Sequence, residues 1–180
     1  DGAKKLLPNY LRFVRGIIDS HDLPLNVSRE LLQENRALDS IRAGSIKKVL
    51  DLLEQISKNE PTQYRLFWQI FGPIFKEGLI EDPSNKEKIA RLCRFASTLD
   101  TSTTQSVSLD DYIARMPKQQ KHIYYLAAEN YEAAKNSPHL EIFIKRKIEV
   151  LLLTDRVDEW AMGALNSYQE KTLSNIAKGE

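Results

Sequence analysis

Cysteine is almost missing from this chain. Cys93 stands alone among 180 residues. No intrachain disulfide can form, and metal sites built on several cysteines are excluded within the chain. A reducing, cytoplasmic setting fits a single cysteine. Charge of one sign is missing too: 26 Lys plus Arg stand against 25 Asp plus Glu, a net charge of +1. Such a balance leaves nothing to hold nucleic acid or a membrane surface by bulk charge. No apolar run approaches the length of a membrane span. The opening DGAKK has no initiator Met and no signal-peptide core, which suggests a piece of a longer protein. G-x-G-x-x-G, the P-loop pattern and internal repeats are all lacking. The three histidines, His21, His122 and His139, lie in separate segments without metal-ligand spacing, so no metal site is expected.

What remains is ordinary globular composition, 42% hydrophobic and 28% charged, and a pattern that changes along the chain. Tyr10 to Ile18 is rich in β-branched and aromatic residues and reads as a strand. Pro24 breaks the run, and Asn26 is a plausible N-cap for a helix from Val27. Apolar residues then recur at helical spacing. One stripe runs to Gly44, read as a stop, and a second helix follows a Ser45 cap. A third opens at Thr62 with a kink or restart at Gly72-Pro73. A fourth follows Asp82-Pro83 and carries Ile89, Leu92, Cys93 and Ala96. Residues 97–108, STLDTSTTQSVS, form a polar linker and the best internal boundary. Ser108 and Asp111 form a capping pair for a short helix ending at Met116-Pro117.

The last third alternates. Strands are predicted over His122–Ala128, Glu149–Thr154 and Thr172–Ile176. Helical segments are predicted over Tyr131–Lys135, from Ser137-Pro138 to Lys145, and over Asp158–Tyr168. Alternation of this kind implies parallel βαβ units, hence a mixed α/β chain with a short parallel sheet.

The chemistry-bearing residues are few. Cys93 falls on an apolar helical face and reads as a buried, inert thiol. Asp110-Asp111 and Asp158-Glu159 are acid pairs at helix starts, where the helix dipole favours them. Asn26-Val27-Ser28 matches the glycosylation sequon by chance. Arg29, in DLPLNVSRELLQ, is a cation in a helix's first turn, where the dipole favours anions. It either pairs with Glu30, Glu34 or a distant acid, or awaits an anion, with Ser28 and Gln33 on hand as donors. Trp160, just after Asp158-Glu159, is either a packed aromatic or an exposed anchor for another protein. No nucleophile–base pair supports a free-standing enzyme.

Five ordered segments carry a resemblance: LPNYLRFVRGIIDSHDLPLNVSRELLQENR, FWQIFGPIFKEGLIED, SLDDYIARMPKQQKHIYYLAAEN, SPHLEIFIKRKIEVLLLTDRVDEW and KTL. The chain resembles the middle domain of the ninety-kilodalton heat-shock chaperone family from about Leu7 to its end. Trp160 in VDEW looks like the bacterial branch. The resemblance implies the last strand and catalytic-loop start of a large αβα unit over residues 1–26. A helical coil over 27–96, the linker 97–108 and a small αβα unit over 109–180 would follow. It implies that Arg29 contacts the γ-phosphate of ATP held by an N-terminal domain absent here. Leu23, Asn26, Ser28 and Gln33 would share that catalytic loop. Glu159 and Trp160 would bind client proteins. ATP with Mg would belong to the full-length protein, a homodimer through a C-terminal domain. The 180-residue piece would be monomeric, carry no cofactor and not hydrolyse ATP. The alternative is a protein-interaction module whose Arg29 is purely structural.

Overall fold

The computed structural model describes residues 6–16 and 36–179. Leu23, Asn26, Ser28, Arg29 and Gln33 lie outside them, as do His21 and the last two residues of the predicted first strand, Ile17 and Ile18.

The described part of that strand is not extended pairing. Asn9–Leu11 form a 3-10 turn whose consecutive residues Tyr10 and Leu11 are both buried. A strand presents neighbouring side chains to opposite faces, so burying both favours the turn. The Tyr10 hydroxyl donates to Asp82 at 2.6 Å, and Phe13 stacks on Phe71 with ring centroids 4.8 Å apart.

Helix α1 (Arg36–Asn59) buries Leu38, Ile46, Leu50 and Leu53 on one stripe. It runs straight through Gly44, correcting the predicted stop. A mid-helix glycine costs about 1 kcal/mol, and the apolar stripe keeps its phase across it. Glu60-Pro61 ends α1 and starts α2 (Pro61–Lys76) with proline in its first turn. Pro73 lies inside α2 and does not restart it. The proline removes one amide donor, but Gln69, four residues back, is exposed, so water can serve its carbonyl. The break comes at Glu77 instead, followed by the single turn α3 (Gly78–Glu81) and, after a 3-10 turn at Pro83–Asn85, by α4 (Lys86–Leu92).

The expected continuation of this helix to Ala96 is also corrected. Cys93 adopts extended backbone, and Ala96–Ser97 form strand β1. Phe95 and Val107 exchange backbone hydrogen bonds of 2.8 and 3.0 Å, closing the polar segment into a loop. Helix α5 (Leu109–Arg115) begins with the Ser108/Asp111 capping box read from the sequence. Strands β2 (His122–Ala127), β3 (Leu151–Leu153) and β5 (Lys171–Asn175) follow the expected positions within a few residues. Between β2 and β3 lie α6 (Tyr131–Lys135), a 3-10 turn and α7 (Glu141–Lys145). Helix α8 (Asp158–Leu165) is shorter than predicted. Asn166 takes a left-handed φ of 61°, and Ser167–Tyr168 become strand β4.

The sheet order is β1-β3-β2-β5-β4. β2 pairs in parallel with both β3 and β5, while β1 and β4 pair antiparallel at the edges. Residues alternate across it. Ile123, Tyr125, Leu151, Leu153 and Leu173 join a core shared with α1, α2, α4 and α8. Leu126, Val150 and Leu152 face Ala134, Leu140 and Phe143 on the other side.

Two glycines in the helical part have opposite demands. A Cβ on Gly78 would sit 2.6 Å from the Tyr10 ring, which is fully buried and tied to Asp82. A Cβ on Gly44 would meet nothing within 4 Å. Gly78→Ala is expected to destabilise by about 1–3 kcal/mol, as overpacking does. Gly44→Ala is expected to stabilise by roughly 0.5–1 kcal/mol. Urea denaturation midpoints of the two variants, moving in opposite directions, check both.

Candidate functional site

The most distinctive surface feature stands where β3 hands over to α8. The buried strand Leu151–Leu153 ends, Asp155 turns the chain, and α8 begins at Asp158. The two acids predicted side by side have opposite fates. Asp158 is fully buried, whereas Glu159 is exposed. Trp160 is 76% exposed, the most exposed large hydrophobic residue among the described residues. A lone exposed aliphatic residue is unremarkable, but tryptophan forgoes a large apolar burial by facing water.

Helical geometry explains the arrangement. Asp158, Ala161, Met162 and Leu165 occupy the buried stripe at i, i+3, i+4 and i+7. Trp160 stands two residues, or about 200°, round from Asp158. The buried acid meets Lys76, the last residue of α2. The Lys76 ammonium lies 2.5 Å from Asp158 Oδ1 and 2.6 Å from Asp155 Oδ2. The Asp155 backbone N–H donates to Asp158 Oδ2 at 2.8 Å. The ammonium also lies 6.0 Å from the Trp68 ring centroid and 5.8 Å from that of Phe95.

Burial alone would lower the Lys76 pKa, but the two carboxylates outweigh it and the net shift is upward. Burial pushes the Asp158 carboxyl up, and Lys76 pulls it only part of the way back. Both shifts are upward, so one favours the charged lysine and the other the neutral acid. The ionised pair is the consistent reading at neutral pH, because Asp158 accepts hydrogen bonds from both the ammonium and the Asp155 amide. Sequence reading missed this cluster. Lys76 and Asp158 are 82 residues apart, and a lysine at a helix end is ordinarily solvated surface.

The remaining candidates resolve simply. Cys93 is buried, its thiol donates to the Ile89 carbonyl at 3.3 Å, and burial pushes its pKa up to about 12. An inert thiol is what that environment makes. Asp111 caps α5, and Asp110 accepts from the Tyr168 hydroxyl at 2.7 Å. His122 opens the central strand β2 rather than an edge strand, and His139 is exposed. Among the described residues no group of three or more His, Cys, Asp and Glu side chains could hold a metal ion. No helix among them is long and apolar enough to cross a membrane.

Comparison with known proteins finds similarity along the whole chain. The family model described as Hsp90 protein matches residues 1–180. "Chaperone protein HtpG" of Halorhodospira halophila is 58% identical over 180 residues, covering 100% of this chain and 28% of the relative. The protein of the same name from Nitrosomonas eutropha is 59% identical over 184 residues, covering 100% and 29%. That of Methylococcus capsulatus is 56% identical over 180 residues, covering 100% and 28%. The chain thus spans less than a third of the length of these relatives.

Proposed function

The chain belongs to the Hsp90 protein family, and from that premise we propose that it is a middle-domain segment of a bacterial-type, ATP-dependent molecular chaperone. It serves protein folding and the stress response in two ways. It presents a surface for partly folded client proteins at Glu159 and Trp160. It also lends Arg29 to an ATP site on another domain. The observation that carries this reading is Trp160, held in solvent beside a carboxylate at the head of α8. A rigid exposed indole next to a negative charge suits apolar, basic client segments, bound weakly and with little demand on sequence.

Trp160→Ala in the full-length protein is expected to weaken binding of an unfolded client about tenfold, a typical loss for an aromatic anchor. Its thermal midpoint should hardly move, since the side chain packs on little. Fluorescence anisotropy of a labelled, permanently unfolded client measures the first, and calorimetry the second. Unchanged affinity removes Trp160 from the client surface.

The donor set offered to ATP by this chain suits phosphate: a guanidinium fork at Arg29, a hydroxyl at Ser28 and an amide at Gln33. Leu23 and Asn26 belong to the same loop. The nucleotide with its Mg supplies the transferable phosphoryl group and is held by the N-terminal domain. This chain adds only positive charge and hydrogen bonds at its γ-phosphate end. The division into residues 1–26, helical coil 27–96, linker 97–108 and small αβα unit 109–180 belongs to the same proposal, with dimerisation through a C-terminal domain.

A further inference from the structure

The sequence of α8 permits two rotations of the helix, and hydrophobicity does not favour the observed one. The observed stripe is Asp158, Ala161, Met162 and Leu165. A second stripe, Val157, Trp160, Ala161, Ala164 and Leu165, falls at i, i+3, i+4, i+7 and i+8, also a helical spacing, and contains no charge. Reaching it takes a rotation of about 100°, one residue step. That rotation would bury the indole and carry Asp158, together with the smaller apolar side chain of Met162, out of the core. Burial of an aromatic is strongly favourable, so something specific must oppose it.

We propose that Lys76 is the positioning residue that holds α8 in the rotation leaving Trp160 in solvent. Lys76 is only 1% exposed. Its ammonium cannot reach water in place of Asp158, so turning Asp158 outward would remove a partner from a buried cation. Among the described residues, Asp155, one fifth exposed, would be the only carboxylate left on it. Asp158 is pinned from its own side too, since it also accepts the Asp155 backbone N–H. Selecting one of two packings is the best-attested use of a buried ionic group. The consequence reaches across the fold, because a residue at the end of α2 decides what α8 shows to a partner. This inference rests on the client-binding reading for its functional meaning, but not for its geometry.

The experiment uses full-length protein labelled with 5-fluorotryptophan. The Trp160 fluorine resonance is assigned by its loss in Trp160→Phe. The H2O/D2O isotope shift of that resonance reports its exposure. Lys76→Met is expected to reduce the shift at least about twofold and to weaken binding of reduced, carboxymethylated α-lactalbumin by roughly 3–10-fold. Lys76→Arg keeps the charge and should restore both at least in part. If Lys76→Met fails to fold, Lys76→Met/Asp155→Asn/Asp158→Asn removes all three charges while keeping an acceptor for the Asp155 amide, and carries the same expectation. An unchanged isotope shift in a folded variant lacking the Lys76 charge overturns the proposal. A reduced shift with unchanged client affinity supports the positioning role and counts instead against Trp160 as a client contact.

Discussion

Arg29→Ala in the full-length chaperone is expected to lower ATP hydrolysis by about 10²–10³-fold, the usual loss when one fixed donor to developing charge is removed, while ATP binding changes little. An arginine that meets the γ-phosphate chiefly as charge develops there lowers the barrier without tightening the ground state. Arg29→Lys should recover only part of the rate, because an ammonium keeps the charge but loses the bidentate fork. The rival reading, in which Arg29 pairs with an acid of its own domain, predicts the reverse. Hydrolysis would persist, and thermal stability would fall in the isolated chain. Single-turnover hydrolysis, nucleotide affinity and a melting curve, measured on the same variant, separate the two. Normal hydrolysis at unaltered ATP affinity would remove the arginine from the ATPase site.

The second large effect belongs to stability. Lys76→Ala is expected to cost about 3–5 kcal/mol, because it leaves Asp158 either buried without its cation or released only by turning α8 out of its native packing. At roughly 2–4 °C per kcal/mol for a domain of this size, the melting temperature should fall by roughly 6–20 °C. Neutralising both partners should cost far less than removing the lysine alone, so a double-mutant cycle over Lys76 and Asp158 should show strong coupling. The sign with pH follows from the upward shift of Lys76. A lysine whose pKa is raised on folding adds stability that is complete below its ordinary value and lost as pH rises through the folded one. The Lys76 contribution should therefore stay constant from neutral pH into the mildly alkaline range and disappear only in strong alkali. A Lys76→Ala melting temperature within a degree or two of the parent would show that the cluster does not tie the end of α2 to the head of α8.

Much of this molecule is legible in the sequence, and the reasons differ by element. The capping box at Ser108/Asp111 is local chemistry, and it appears where the residues place it. β2, β3 and β5 are short apolar runs between turn signals, and they form a parallel pairing that the alternation with helices implies. The errors fall where local signals are weak compared with packing. Gly44 has the local signature of a stop, yet it sits mid-helix because the apolar stripe continues past it. Ala96 has helical spacing from Leu92, yet it pairs with Leu152 as a strand. Ala96 is buried in the strand, and the helical stripe through Leu92 would call for its burial as well, so periodicity could not choose between them. Tyr10 and Leu11 have strand-forming composition, yet both turn inward, Tyr10 to fill the space beside Gly78 and Phe75.

The candidate site divides the same way. Five ordered segments of sequence were sufficient to indicate the family and to single out Arg29, Glu159 and Trp160, because family motifs are written in the order of residues. The separate fates of Asp158 and Glu159, and the partnership of Asp158 with Lys76, could come only from the tertiary structure. An acid at a helix start is favoured by the dipole whether it faces water or the core. Whether it is buried depends on a cation 82 residues away, a distance in sequence over which no local pattern carries information. The sequence by itself determined which residues this chain has to offer a partner. The tertiary structure decided which residues of α8 face outward, because Asp158 is buried on Lys76 while Glu159 and Trp160 stand in solvent.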